Sequence, residues 1–288
     1  RRLCDCRAMS ELIFVKLGGS VITDKTRAET ARPDVIAKLA RQIASARAER
    51  AGLRLVLGHG SGSFGHIVAR RYGTREGVHG ADAWRGFAEV AGVAARLNRI
   101  VMDLLESSGV PAWSLQPSAS ALCEGGELKS MELAPVIQAL AHGLVPVLHG
   151  DVALDDCQGG TIISTEQIFA YLADRLCPDR VILVGTVDGV FDADPLSEPG
   201  ARRIPEMTAE NWASVRALLG GSHGTDVTGG MLAKAEEMVS LARQMPGLEI
   251  QLISGEPADA LKMALLRSTD CLLGTTIRWA PRLPDDGM

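Results

Sequence analysis

The chain has 288 residues, 46% hydrophobic and 23% charged, enough to bury one large α/β domain or two lobes. Its formal net charge of −5 argues against nucleic acid as the main partner, because such a face needs clustered Lys and Arg. No apolar run approaches the roughly 20 residues of a membrane span, and six scattered cysteines without a CxxC pair suggest reduced cytoplasmic thiols, not a disulfide framework.

Residues 1 to 8 are basic and lack the apolar core of a secretory signal, so they are set aside as an extension before Met9. Leu12 to Leu17 reads as a buried strand ending in Gly18-Gly19-Ser20, and Pro33 suits the first turn of a helix reaching about Arg50. Leu53 to Leu57 is the next strand, followed by a glycine-rich loop from Gly58 to Gly65. Apolar residues from Phe87 to Leu105 recur at three- and four-residue steps, which predicts a long helix over Asp82 to Ser108. Val110 to Leu115 and Leu144 to Leu148 read as strands flanking a helix over Glu132 to Ala141. Asp151 to Ser164 reads as a hairpin, and Thr165 to Leu176 as a helix. The strand Arg180 to Val184 and a loop from Gly185 to Pro195 open the second part. Helices over Ala209 to Leu219 and Gly230 to Met245, the strand Glu249 to Ile253 and an apolar run from Cys271 to Leu273 complete it. Short β-branched runs alternating with helical periods predict an α/β protein with a parallel sheet covered by helices. Two lobes on one continuous sheet, residues 9–178 and 179–288, fit this order better than separable domains.

Four segments carry chemistry. Lys16-Leu17-Gly18-Gly19-Ser20 places a cation and small residues at a strand end, where backbone N–H groups can approach phosphate, although a plain strand-to-helix turn has the same residues. Gly60-x-Gly62-x-x-Gly65 has the spacing of a dinucleotide fingerprint, but the acidic strand end expected about 20 residues on is replaced by a helical pattern. An anion cradle feeding a helix N-terminus is the better reading of that loop. Asp226-Val227-Thr228-Gly229-Gly230 opens a helix with Lys234 about one turn in, a position that taken alone suits a solvated lysine. Thr186-Val187-Asp188-Gly189 follows a strand at the carboxyl edge of the sheet, where α/β proteins bind ligands, and an Asp-Gly turn is its bland alternative. Walker A and protein-kinase signatures are absent.

Together these segments resemble the amino acid kinase superfamily, with its Lys-x-Gly-Gly-Ser start, glycine-rich second loop and late Thr-Gly-Gly-Met-x-x-Lys. The resemblance runs from about Leu12 to Leu273. Within it, Asp24-Lys25, the Gly60-Ser61-Gly62-Ser63-Phe64-Gly65-His66 loop and Gly150-Asp151 are most similar to the isopentenyl phosphate kinase family. The resemblance implies a three-layer αβα sandwich around a central, mainly parallel sheet. It implies an enzyme that uses ATP and Mg²⁺ to phosphorylate isopentenyl phosphate, a homodimer located in the cytoplasm. By the same resemblance, Lys16 and Lys234 hold the ATP phosphates, Lys25 stabilises the transferring group and Asp151 orients the lysines. Gly18, Gly19, Ser20 and Gly62 cradle phosphate, Thr186, Asp188 and Gly189 border the nucleotide, and Gly230 belongs to the ATP-binding set. His66 contacts the acceptor phosphate, with Ser61 and Thr165 beside it, and no protein-held metal is expected. Ser164-Thr165-Glu166 departs from a frequent Ser-Gly-Asp, Ser61 from a third glycine, and Thr186 from an aspartate. A phosphonate kinase or a non-catalytic nucleotide sensor on the same fold are the alternatives.

Overall fold

The computed structural model describes residues 10–195, 198–221, 231–267 and 273–279. Strand β1 (Leu12–Leu17) is buried at every residue but Lys16. Gly18 turns it into the single-turn helix α1 (Gly19–Ile22), and Pro33, with no amide hydrogen to lose, starts α2 (Pro33–Glu49). Strand β2 (Arg54–His59), helix α3 (Gly62–Tyr72) and the long helix α4 (Gly80–Ser107) follow. Val90, Val93, Ala94, Leu97, Val101 and Leu105 of α4 form its buried stripe. Next come β3 (Ala112–Ser114), the hairpin β4 (Leu122–Glu124) and β5 (Glu127–Ser130), helix α5 (Ala134–Ala141) and β6 (Val145–His149). A second hairpin, β7 (Asp151–Asp155) and β8 (Gly159–Ile163), leads into α6 (Thr165–Leu176). A capping box starts α6: the Gln167 amide donates to the Ser164 hydroxyl, and the Ser164 amide to the Gln167 side chain. The remainder comprises β9 (Arg180–Gly185), the short pair β10 (Val190–Phe191) and β11 (Arg203–Ile204), and β12 (Glu206–Met207). Helices α7 (Trp212–Gly221) and α8 (Met231–Gln244), strand β13 (Glu249–Ser254), helix α9 (Ala260–Leu266) and strand β14 (Thr275–Ile277) complete the described chain.

Eight strands form one sheet in the order β12-β14-β13-β9-β1-β2-β6-β3, parallel at every junction except β13–β14. Strands that precede and follow residue 178 occupy opposite halves and meet at β1 and β9. Alternation along β1 sends Ile13, Val15 and Leu17 into one apolar cluster with residues of α2, α4 and α9. Leu12 and Phe14 enter a second cluster, on the other face, with α5, α6 and α8. Those two helical layers enclose the sheet, and each fully buried aliphatic side chain contributes about 1.5–3 kcal/mol. Lys16 belongs by alternation to the α6 and α8 side, which is what brings it to the site.

Periodicity places most elements to within two or three residues. It misses the β4–β5 hairpin, where Cys123 is the only fully buried residue and no apolar alternation marks the strands. It misses α9 too, which is barely two turns long. The loop expected over Gly185 to Pro195 contains β10. Of the apolar run expected to end the sheet, Cys271 and Leu272 lie outside the described residues, and the strand there is Thr275–Ile277. Residues 1–8 also lie outside them. Cys123 and Cys157 are free thiols, whereas Cys177 is disulfide-bonded, against the expectation of reduced cysteines throughout. Among the described residues no helix is long and apolar enough to cross a membrane.

Candidate active site

Lys16, near the carboxyl end of β1, forms an ion pair with Glu166, the second residue of α6, and each side chain is only 14% exposed. Burial pushes the Lys16 ammonium down to about 7; Glu237 opposes this and Lys234 adds to it. Contact with Glu166 favours the charged form. Glu237 lies one turn beyond Lys234 on α8, and burial raises its carboxyl pKa against the pull of Lys16 and Arg75. A cleft of about 650 Å³, counting the part open to solvent, is lined by Lys16, Gly18, Ser20, Glu166, Thr186, Gly189 and Lys234, with Leu183, Met231 and Met238 as apolar wall.

The two glycine loops lie back to back. A Cβ on Gly19 would stand 2.5 Å from the Gly62 nitrogen, and one on Gly62, at φ +49°, would stand 2.1 Å from Thr23 Oγ1. Only glycine at both positions allows this approach. The amides of Gly19, Ser20, Ser61 and Gly62 have no partner among the described residues. Those of Ser61 and Gly62 stand at the start of α3, where orphan donors and the helix dipole favour an anion.

Lys25 is exposed on a segment docked against that same helix start. The Ser63 amide donates to Thr23 Oγ1 at 3.0 Å, and the Glu29 amide to the Ser63 carbonyl at 3.3 Å. His66 lies one turn into α3. Partial burial lowers its pKa, and so in turn do Lys25, Arg70, Arg75 and Lys234. At neutral pH the ring is therefore mostly uncharged in a field of cations, Arg70 and Arg75 nearby in the chain and Lys25 and Lys234 from distant parts of it, the setting an anion would occupy.

The structure thus brings together Lys16, Ser20, Thr186, Gly189 and Lys234 in one cleft, and His66 lies near enough to Lys234 and Lys25 to feel both charges. Other expected residues are otherwise engaged. The Gly18 amide donates to the Val184 carbonyl at 2.9 Å, so this glycine gives close approach and leaves no donor for phosphate. Thr165 is buried, its hydroxyl donating to the His59 carbonyl at 2.7 Å, so it ties α6 to β2 and offers no hydroxyl to a substrate. Asp188 pairs with Arg203 and accepts from the Ser254 amide at 3.4 Å, which fastens the 186–189 turn to β13. Asp151 is buried and accepts from the Val152 amide at 2.8 Å and the Ser118 amide at 3.2 Å. Among the described residues its side chain meets the 116–118 segment and His149, and no lysine. Gly230 lies outside the described residues. Sequence reasoning missed Glu166, Glu237, Arg70 and Arg75. The departure Ser164-Thr165-Glu166 held the signal for the first of these, since its acid, not its hydroxyl, reaches Lys16.

A sheet whose carboxyl edge gathers lysines around unpaired loop amides defines a phosphate-handling enzyme of the phosphotransferase class. The family model for the amino acid kinase family matches residues 11–254, and the chain belongs to that family. It is similar to isopentenyl phosphate kinases of Methanothermobacter thermautotrophicus, 35% identical over 88% of this chain and 95% of the relative, and Haloferax volcanii, 41% identical over 80% and 88%. A solved isopentenyl phosphate kinase superposes with a TM-score of 0.77 at 32% identity, covering 93% of this chain and all of the other.

Proposed function

We propose that this kinase transfers the γ-phosphoryl group of ATP to isopentenyl phosphate, giving isopentenyl diphosphate and ADP. The observation that carries the reading is that Lys16 and Lys234, far apart in sequence, line one cleft, and that His66 feels the charges of both Lys234 and Lys25. The similarity to isopentenyl phosphate kinases over most of the chain supports this acceptor. An acceptor phosphate oxygen attacks the γ-phosphorus, the bond to the β,γ-bridging oxygen breaks, and ADP leaves with that electron pair. The acceptor is already an anion, so no protein base has to remove a proton. What the protein must supply is charge. At about 5 Å and an effective dielectric near 20, each pair of unit phosphate charges repels by roughly 3 kcal/mol. Lys16 and Lys234 offset this at the donor phosphates, and Lys25 at the group in transit. Neutral His66 donates to the acceptor phosphate beside the Ser61 and Gly62 amides.

The lobe from 9 to 178 holds the acceptor in this reading, and that from 179 to 288 the nucleotide. Among the described residues no group of three or more His, Cys, Asp or Glu suits a metal ion. Mg²⁺ enters the proposal as an ion that phosphate oxygens and water would carry, and it would neutralise phosphate charge. We include in the proposal a cytoplasmic location, in keeping with ATP as donor, and a homodimer, for which exposed Trp113 on the edge strand β3 offers apolar surface.

The test is ADP release by purified protein with isopentenyl phosphate, dimethylallyl phosphate, fosfomycin and acidic amino acids. The expected result is turnover with isopentenyl phosphate well above that with fosfomycin or the acidic amino acids. Preference for fosfomycin or for an amino acid would replace the proposal.

A further inference from the structure

Matching His-Gly pairs, His59-Gly60 and His149-Gly150, close the adjacent strands β2 and β6, and the two histidines are register partners. Their rings stack with centroids 5.3 Å apart and planes 9° from parallel, and both residues are 1% exposed. No role assigned above uses them. The backbone around His59 is held at three points. The Gly60 amide donates to the Leu17 carbonyl at 3.1 Å, while the His59 carbonyl accepts from the Gly150 amide at 3.2 Å and the Thr165 hydroxyl at 2.7 Å. The ring supplies a fourth, with Nδ1 at 3.1 Å from the Gly60 carbonyl oxygen.

On its other side Nε2 lies 3.2 Å from Asn98 Oδ1, and Asn98 Nδ2 lies 2.6 Å from Ser114 Oγ. Burial lowers the His59 pKa to about 4, with His149 adding to it, so the ring carries a single proton at neutral pH. One proton cannot serve both the Gly60 carbonyl and Asn98 Oδ1. Placed on Nε2, it leaves a nitrogen lone pair facing a carbonyl oxygen. Placed on Nδ1, with the Asn98 amide turned over, it satisfies every group. Nδ1–H then donates to Gly60, the Asn98 amide N–H to Nε2, and the Ser114 hydroxyl to Asn98 Oδ1, the kind of network that fixes amide and imidazole assignments.

We infer that His59 is a positioning residue for acceptor binding: by holding the Gly60 carbonyl through Nδ1–H, it turns the Ser61 N–H toward the acceptor's phosphate. The peptide group is planar, so the Gly60 carbonyl and the Ser61 N–H point from opposite edges of one rigid unit. Ser61 is the N-cap of α3, one turn before His66, and its amide has no partner among the described residues. The inference deepens the proposed reading of the site and rests on it.

The experiment compares His59→Asn, His59→Gln and His59→Leu in the full chain, measuring KM for isopentenyl phosphate, KM for ATP and the melting temperature. Asn places an amide N–H close to the position of Nδ1, Gln close to that of Nε2, and Leu places none. KM for isopentenyl phosphate is expected to stay within about threefold of wild type in His59→Asn and to rise about tenfold or more in the Gln and Leu variants, the scale of one lost bond to a charged group. KM for ATP should not move. Equal KM values in the Asn and Gln variants, raised or not, would overturn the inference, and this comparison stands even if the Leu variant fails to fold. If the wild type ignores isopentenyl phosphate but accepts another anion of the panel, the substrate reading fails and the same comparison on that anion decides the role of His59. A wild type that accepts no anion overturns both.

Discussion

Replacing Glu166 by Gln keeps the length of the side chain and removes the carboxylate in contact with Lys16. Both side chains are 14% exposed, so water replaces little of the lost interaction. Holding a buried cation without its partner costs about 3–5 kcal/mol, a penalty a lysine escapes by giving up its proton. Burial already pushes Lys16 down to about 7. That value reflects burial, Glu237 and Lys234 and not the contact with Glu166, so without Glu166 about nine in ten Lys16 side chains are charged at pH 6 and about one in ten at pH 8. The charged form is lost as pH rises, so the defect must grow toward alkaline pH. The kcat/KM for ATP, followed by coupled ADP release from pH 6 to 9, should fall from near wild type at pH 6 to about tenfold below it at pH 8. A ratio of variant to wild type that stays constant across this range would refute the argument that Glu166 acts by keeping Lys16 protonated.

His66→Ala should raise KM for isopentenyl phosphate about tenfold and leave KM for ATP in place, as for one lost bond to a charged group; an equal rise in both would take His66 out of the acceptor site. Lys25→Ala should lower kcat about a hundredfold or more, in line with other lost transition-state charges, and an unchanged single-turnover rate would remove it from the mechanism. Burial holds His59 and His149 at about 4, against the ordinary histidine value of 6.5, so between these values the unfolded chain binds the extra protons. Stability should therefore fall as pH drops below 6.5, by about 2 kcal/mol per histidine at pH 5. Urea denaturation at pH 7 and pH 5 checks this. The difference should shrink by about half in His149→Gln, and an undiminished one would count against the assignment.

The αβα sheet was readable because its strands are short, β-branched and buried on both faces, and because Pro33 and the α4 stripe mark helices plainly. Lys16 and the Gly18 to Ser20 turn were readable for a local reason: strand, glycines and cation adjoin one another in the chain. What escaped depends on tertiary approach. Nothing near Thr165 announces that its hydroxyl is taken by the His59 carbonyl while its neighbour Glu166 reaches Lys16. Asp188 stands in a plausible nucleotide-bordering turn, yet Arg203 claims it from fifteen residues away. Gly18 shows the converse, a motif glycine required for backbone approach to Val184 and not for a free amide. Arg75 carries no motif, and only the fold sets it near His66, whereas Arg70 follows His66 by one helical turn on α3.

On the proposed reading, converging lysines drive a phosphoryl group onto an acceptor phosphate held at the start of α3. Phosphorus NMR of the purified protein with ATP, Mg²⁺ and isopentenyl phosphate tests it most directly. Loss of the phosphomonoester signal and growth of two coupled diphosphate resonances are expected, one equivalent for each ATP converted to ADP. ATP consumed with only inorganic phosphate appearing, and the phosphomonoester untouched, would contradict it.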